Sequence, residues 1–237
     1  MCACIAFFTH QIIDQIIKSH FLIHIFLSTF SNKREDEYGA DTLDNRIRFG
    51  IKVLEAVQRV IEAEAPEGFI LGYRCTPEET RGSEVGYTVE EFLYFIDRAM
   101  EAADIHYLAT ASWGKNIYKQ TIRQGAHKGE LMNRVVYDHI AGRTAVMATG
   151  GINSPDKALE AIEYADMVGA STPFVTEPEF VTKIADGRED DIDLEFTEDR
   201  IKDLAIPKQA FKDMIELMDI GASLSEKTRS ELNKLRK

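Results

Sequence analysis

Short apolar runs alternate with capped amphipathic segments from residue 69 to residue 186, and this alternation constrains the fold more than any other feature. The runs fall at residues 69–75, 105–110, 144–149 and 166–170. Thr88-Val89-Glu90-Glu91 reads as a capping box ahead of Phe92, Phe95, Ile96, Ala99 and Met100 at helical spacing. Residues 131–140 carry a further helix, and Ser154-Pro155-Asp156 caps another with proline at its first position. Thr176-Glu177-Pro178-Glu179 is expected to cap the helix after the fourth run, and residues 76–87 to form a loop. Upstream, Asp41-Thr42-Leu43-Asp44 opens a long helix whose face is Ile47, Ile51, Leu54, Val57 and Ile61, ended by Pro66 and Gly68. Strands alternating with helices predict an α/β protein with a parallel sheet of about four βα units, followed by C-terminal helices. Doubly wound sheets and (β/α)8 barrels share this alternation, and periodicity alone does not separate them.

Charge narrows the partners. Lys+Arg 28 against Asp+Glu 40 gives a net charge of −12, which disfavours nucleic acid and anionic membrane surfaces. The cysteines are Cys2, Cys4 and Cys75, an uneven odd set that fits neither a disulfide framework nor a four-ligand zinc site. A reducing, cytoplasmic setting is the expectation.

Residues 1–30 differ from the rest. They are dense in Ile and Phe, with Asp14 and Lys18 as their formal charges. No basic region, apolar run and cleavage site stand in signal-peptide order, and Asp14, Gln15, Lys18, Ser19, His20 and His24 interrupt any membrane span. The expected division is a divergent or out-of-frame hydrophobic segment over 1–30 and a regular domain over 31–237.

The most specific stretch is SNKREDEYGADTLDNRIRF, residues 31–49. It closely resembles the pattern N-x-R-x-D-x-Y-G-G-S-x-E-N-R-x-R-F of the Old Yellow Enzyme family of FMN-dependent oxidoreductases, with Ala40, Thr42 and Asp44 as the departures and Asp41 as one extra residue. These residues look like scaffold: charges to tie a loop, a glycine for a turn, a hydroxyl cap for the helix. The resemblance implies the second half of that family's TIM barrel, from the end of unit 4 to unit 8.

It also implies site residues. Arg74 resembles the arginine that the family places against the flavin pyrimidine; the competing reading is a salt bridge with Glu78 or Glu79. Gly150-Gly151 resembles the phosphate loop after the seventh strand, where backbone N–H groups and the helix capped by Ser154 would favour an anion. Ser171-Thr172 stand where the family has a Gly-Arg phosphate grip, so they offer hydroxyls without charge. Trp113 is expected to pack or to flank the flavin, His106 to sit in the core, and Cys75 to act as a small buried hydrophobe.

The family's carbonyl-polarising His-x-x-Asn or His-x-x-His pair falls on Ile16 and Ser19 when counted back through Phe21-Leu22-Ile23-His24-Ile25-Phe26. The strands carrying the proton-donor tyrosine are absent from this sequence. The resemblance thus implies FMN, NADH or NADPH as reductant and a small-molecule electron acceptor, on a partial barrel expected to be weakly active or inactive. A non-catalytic remnant is the alternative. Open barrel edges predict a homo-oligomer.

Overall fold

The computed structural model describes residues 16–112, 114–195, 197, 200, 203, 204 and 224–235. Cys2, Cys4 and Trp113 lie outside the described residues, as do parts of the expected C-terminal helices.

A helix α1 (Ile16–Leu27) leads into the motif loop and then α2 (Leu43–Glu64), capped by the Thr42 side chain accepting from Asn45 N–H. The motif residues hold that loop. Asn32 donates to the carbonyls of Phe26 and Tyr38, each at 2.8 Å, and Arg34 pairs with Asp36. A Cβ on Gly39 would stand 2.4 Å from the Arg34 carbonyl oxygen, so the turn admits only glycine. Arg46 is buried, donates to the Leu27 carbonyl and pairs with Glu91 on the next helix.

Four parallel strands follow: β1 (Gly72–Cys75), then, after a hairpin, β4 (Tyr107–Thr110), β5 (Ala145–Thr149) and β6 (Met167–Gly169). They lie side by side in chain order with no reversal. A doubly wound sheet reverses its strand order at a switch point, whereas a barrel adds each strand beside the last. The sheet is therefore a partial (β/α)8 barrel.

The pleat sorts the sheet into two faces. Tyr73, Leu108 and Val146 form one row and are fully buried against the helices. Their core partners include Ile23 and Leu27 of α1, Leu54 of α2, and Phe92, Phe95 and Ile96 of α3 (Val89–Ala102). Each such side chain contributes about 1.5–3 kcal/mol of burial. The alternate row, Arg74, Ala109, Met147 and Met167, faces the other way. On that face Arg74 is exposed, and Tyr107, Met147, Thr149 and Met167 are half-buried.

Three local expectations are corrected. Residues 76–87 form a hairpin, β2 (Glu79–Arg81) and β3 (Glu84–Tyr87), rather than an open loop. Gly82 at φ 65 turns the chain, and Gly-Ser is a suitable two-residue connection. Thr176 does not cap a following helix: it ends α6 (Thr172–Thr176), bonding back to Pro173, and α7 (Phe180–Ala185) starts without a side-chain cap. His106 is exposed, just before β4, where its Nδ1 accepts the Leu71 N–H at 3.1 Å. The other expected helices appear as α4 (Met132–Ile140) and α5 (Pro155–Ala161), the latter capped by Ser154. A last helix covers Glu226–Leu235. Among the described residues, no helix is long and apolar enough to cross a membrane.

Candidate functional site

The carboxyl ends of parallel strands are where the connecting loops converge and where barrels place their ligands. Arg74 stands one residue before the end of β1, on the face turned away from the helices. Neither expected ion pair forms. The Glu78 carboxylate is buried and accepts from the N–H groups of Arg123 (3.0 Å) and Gln124 (2.8 Å), and Glu79 pairs with Arg81. Among the described residues the Arg74 guanidinium has no hydrogen bond or ion pair.

Cys75 points to the opposite face and is fully buried, its thiol 3.7 Å from the Ala109 carbonyl. Burial pushes that thiol up to about 12, against a smaller opposing effect of Arg74, so it stays protonated and unreactive at neutral pH.

Gly150 and Gly151 follow β5 with φ 89 and 84, a conformation that glycine alone adopts freely. A Cβ on Gly150 would meet Ile117, and one on Gly151 would stand 2.6 Å from the Asn116 nitrogen. The neighbouring loop thus packs directly on this turn. Ser171 is exposed between β6 and α6, and Thr172 opens α6. The structure therefore places all five sequence-selected residues, Arg74, Gly150, Gly151, Ser171 and Thr172, at or just beyond the carboxyl ends of β1, β5 and β6.

Two lysines stand near this turn in the chain, Lys157 in the helix that follows it and Lys115 beside Asn116. Lys157 Nζ donates to the Gly151 carbonyl (3.2 Å) and to Asn153 Oδ1 (2.7 Å). Burial first, then the charges of Lys115 and Lys119, hold its ammonium below the usual lysine value. Lys115 adjoins Asn116 and is exposed. A lysine in a loop or in the first turn of a helix reads as ordinary solvation; proximity to Gly151 is the only signal.

Two carboxylates fix the loop that follows β4. Besides Glu78, Glu90 accepts from the N–H groups of Ala126 (2.6 Å) and His127 (3.2 Å). Burial alone would raise the Glu90 carboxyl, but hydrogen bonds from Thr88 and these backbone groups outweigh it and hold it below the usual range. A depressed carboxylate stabilises the fold above its unfolded value, near 4.3, and that contribution is lost as pH falls through the lower native value. We expect the Ala126 and His127 amides to lose hydrogen-exchange protection as the pH falls through the depressed Glu90 value, before the strand amides do. Equal protection of both groups down to global acid unfolding would contradict this anchoring role.

Two cavities lie at the opposite edge of the sheet. One of about 490 Å³ touches Asp97, Asp104, Ile105 and Arg143, and one of about 280 Å³ touches Leu71, Asp104 and His106. These residues precede the strands, on the side where barrels keep stabilising rather than ligand-binding groups.

An uncharacterised oxidoreductase of Streptococcus pyogenes serotype M5 (strain Manfredo) is 50% identical over 210 residues, 88% of this chain and 53% of that protein. Dimethylamine dehydrogenase of a Hyphomicrobium species is 28% identical over 172 residues, 70% of this chain and 22% of that enzyme. The chain thus spans about half the length of the first of these relatives and about a fifth of the second. In fold, a 2-naphthoyl-CoA reductase complex superposes with a TM-score of 0.56 at 22% identity, over 72% of this chain and 25% of that one. Residues 14–191 match the NADH:flavin oxidoreductase / NADH oxidase family, and over that span, most of its length, the chain belongs to this family.

Proposed function

We propose that the chain supplies the pyrimidine and phosphate side of an FMN site in an NAD(P)H oxidoreductase of the Old Yellow Enzyme type, acting on a small-molecule electron acceptor. The observation that carries this reading is Arg74: an exposed guanidinium without a partner among the described residues, on the face away from the helices, at the carboxyl end of β1. FMN, when bound, supplies hydride transfer between a reduced nicotinamide and an electron-poor acceptor. Arg74 would balance negative charge at the pyrimidine edge, and the Gly150-Gly151 turn would present N–H groups to the phosphate. Ser171 and Thr172 would add hydroxyl donors.

Arg74→Ala is the direct test. FMN titrated into the single chain should bind weakly, and the variant should bind about tenfold more weakly, or about 1.4 kcal/mol. An unchanged titration would remove Arg74 from the site.

A second reading, a non-catalytic remnant that binds neither FMN nor acceptor, is favoured by Ile16 and Ser19 at the positions of the carbonyl-polarising pair. Titration of the unaltered chain separates the two: no saturable FMN binding up to millimolar concentration supports the remnant.

The same reading extends to association. Among the described residues β1 and β6 each have one neighbour in the sheet, and strand edges left open invite pairing with another chain. The purified chain should sediment as a dimer or larger species at micromolar concentration. A soluble, cooperatively unfolding monomer would rule out edge-mediated association.

A further inference from the structure

We infer that His24, in its Nδ1–H tautomer, is a positioning residue: through Tyr87 it locks the Thr76 carbonyl and so fixes the end of β1 from which Arg74 projects. The inference rests on the flavin reading for what Arg74 meets, though not for the lock itself.

The end of β1 needs a support of this kind. Its ladder with β4 closes on the bond from the Ala111 N–H to the Cys75 carbonyl (2.8 Å). The next carbonyl, that of Thr76, lies beyond the strand, and Pro77 after it has no N–H to tie the turn. The Tyr87 hydroxyl reaches it from the end of β3 and donates at 2.9 Å. A hydroxyl has one proton, and here it is used on Thr76. The 2.7 Å bond between Tyr87 Oη and His24 Nδ1 therefore takes its proton from the ring. In the neutral ring Nε2 is left to accept, and the Tyr73 hydroxyl stands 3.5 Å from it. Burial pushes both tyrosine hydroxyls well above their ordinary value, so they stay protonated as donors.

The lock has a rigid footing. The His24 ring is buried, and it lies within 18° of parallel to Tyr73 and 20° to Phe92. Just past α1, Thr29 holds the same hairpin strand: its N–H donates to the Gly86 carbonyl (3.0 Å) and its hydroxyl to the Val85 carbonyl (3.1 Å). Thr76 is thus tied to a helix through the core. Arg74, two residues back, is exposed on the face opposite Tyr73 and Cys75. A long exposed side chain on a fraying strand end spreads over many positions, and ordering it on binding weakens affinity. With the backbone held, the side-chain torsions alone are left to order.

The test compares the full chain with Tyr87→Phe, Arg74→Ala and the double variant. The measurements are the His24 ring 15N resonances, amide hydrogen exchange, and FMN titration followed by fluorescence. In the unaltered chain Nδ1 should resonate as a protonated nitrogen. Tyr87→Phe should speed exchange of the Ala111 amide about fivefold. The His106 amide, which bonds the Leu71 carbonyl at the other end of the same ladder, should stay within about twofold. Tyr87→Phe should weaken FMN binding about threefold where Arg74 is present, and leave it unchanged in the Arg74→Ala background. A bare Nδ1, or Ala111 and His106 amides that speed up together, would overturn the lock. Equal weakening with and without Arg74 would overturn the positioning role and keep the flavin reading. So would unchanged FMN binding in Tyr87→Phe when Arg74→Ala weakens it. No saturable FMN binding, or binding that ignores Arg74→Ala, beside an Ala111 amide that loosens as expected, would keep the lock and overturn the flavin reading.

Discussion

Purified as this single chain, the protein will show no measurable NAD(P)H-dependent reduction of cyclohexenone-type alkenes. Polarising an acceptor carbonyl requires donors aimed at the oxygen where negative charge develops, and removing even one such donor costs about 100- to 1,000-fold in an ordinary active site. By the sequence count, the positions that match the family's polarising pair hold Ile16, which has no donor, and Ser19, whose short neutral hydroxyl replaces an imidazole or amide. The losses compound, so turnover should fall at least four orders of magnitude below the usual enzymatic value of about 10 per second. Steady-state oxidation of NADPH and NADH with added FMN checks this. A turnover of about one per second or more would sink the proposal that this chain alone is inactive.

The largest effect on stability is expected at Phe92. Its ring is fully buried on the first turn of α3, stacked on His24 of α1 at a centroid distance of 6.4 Å. His24 in turn bonds Tyr87 at 2.7 Å, and the Tyr87 hydroxyl donates to the Thr76 carbonyl at 2.9 Å. Phe92→Ala would open a cavity where α1, α3 and the β1 face meet. The cost should be about 3–5 kcal/mol, a large part of the roughly 5–15 kcal/mol available to a domain. Val60→Ala, at a position of α2 that is 62% exposed, should stay within about 0.5 kcal/mol. Equal urea midpoints for the two variants would show that the core is not centred on these contacts.

What could be read from the sequence follows from where the physics is local. The Thr88-Glu91 capping box, the Ser154 cap and the Thr42 cap depend on residues three apart, and each forms as the spacing predicts. The choice between a doubly wound sheet and a barrel is not local. It lies in which strands pair, and the decisive fact is the unreversed order of β1, β4, β5 and β6. The hairpin β2–β3 was missed because its strands are short and polar, Glu-Thr-Arg against Glu-Val-Gly-Tyr, so no apolar alternation marks them. His106 lies outside β4 although it sits in the apolar run, because such a run shows where a strand is and not where its ladder begins. In the candidate site, Arg74 and the glycine pair were legible through the family pattern. The loop contacts of Glu78 and Glu90 were not, since they depend on loops that meet only in the fold.

On the proposed function, this chain carries one side of a flavin site and not an enclosed pocket. The visible spectrum of the purified chain, followed by FMN titration, tests it most directly. The predicted result is protein without stoichiometric flavin absorbance and with FMN binding weaker than about 1 μM, or less favourable than about −8 kcal/mol. Yellow protein carrying one FMN per chain with a submicromolar Kd would contradict the claim.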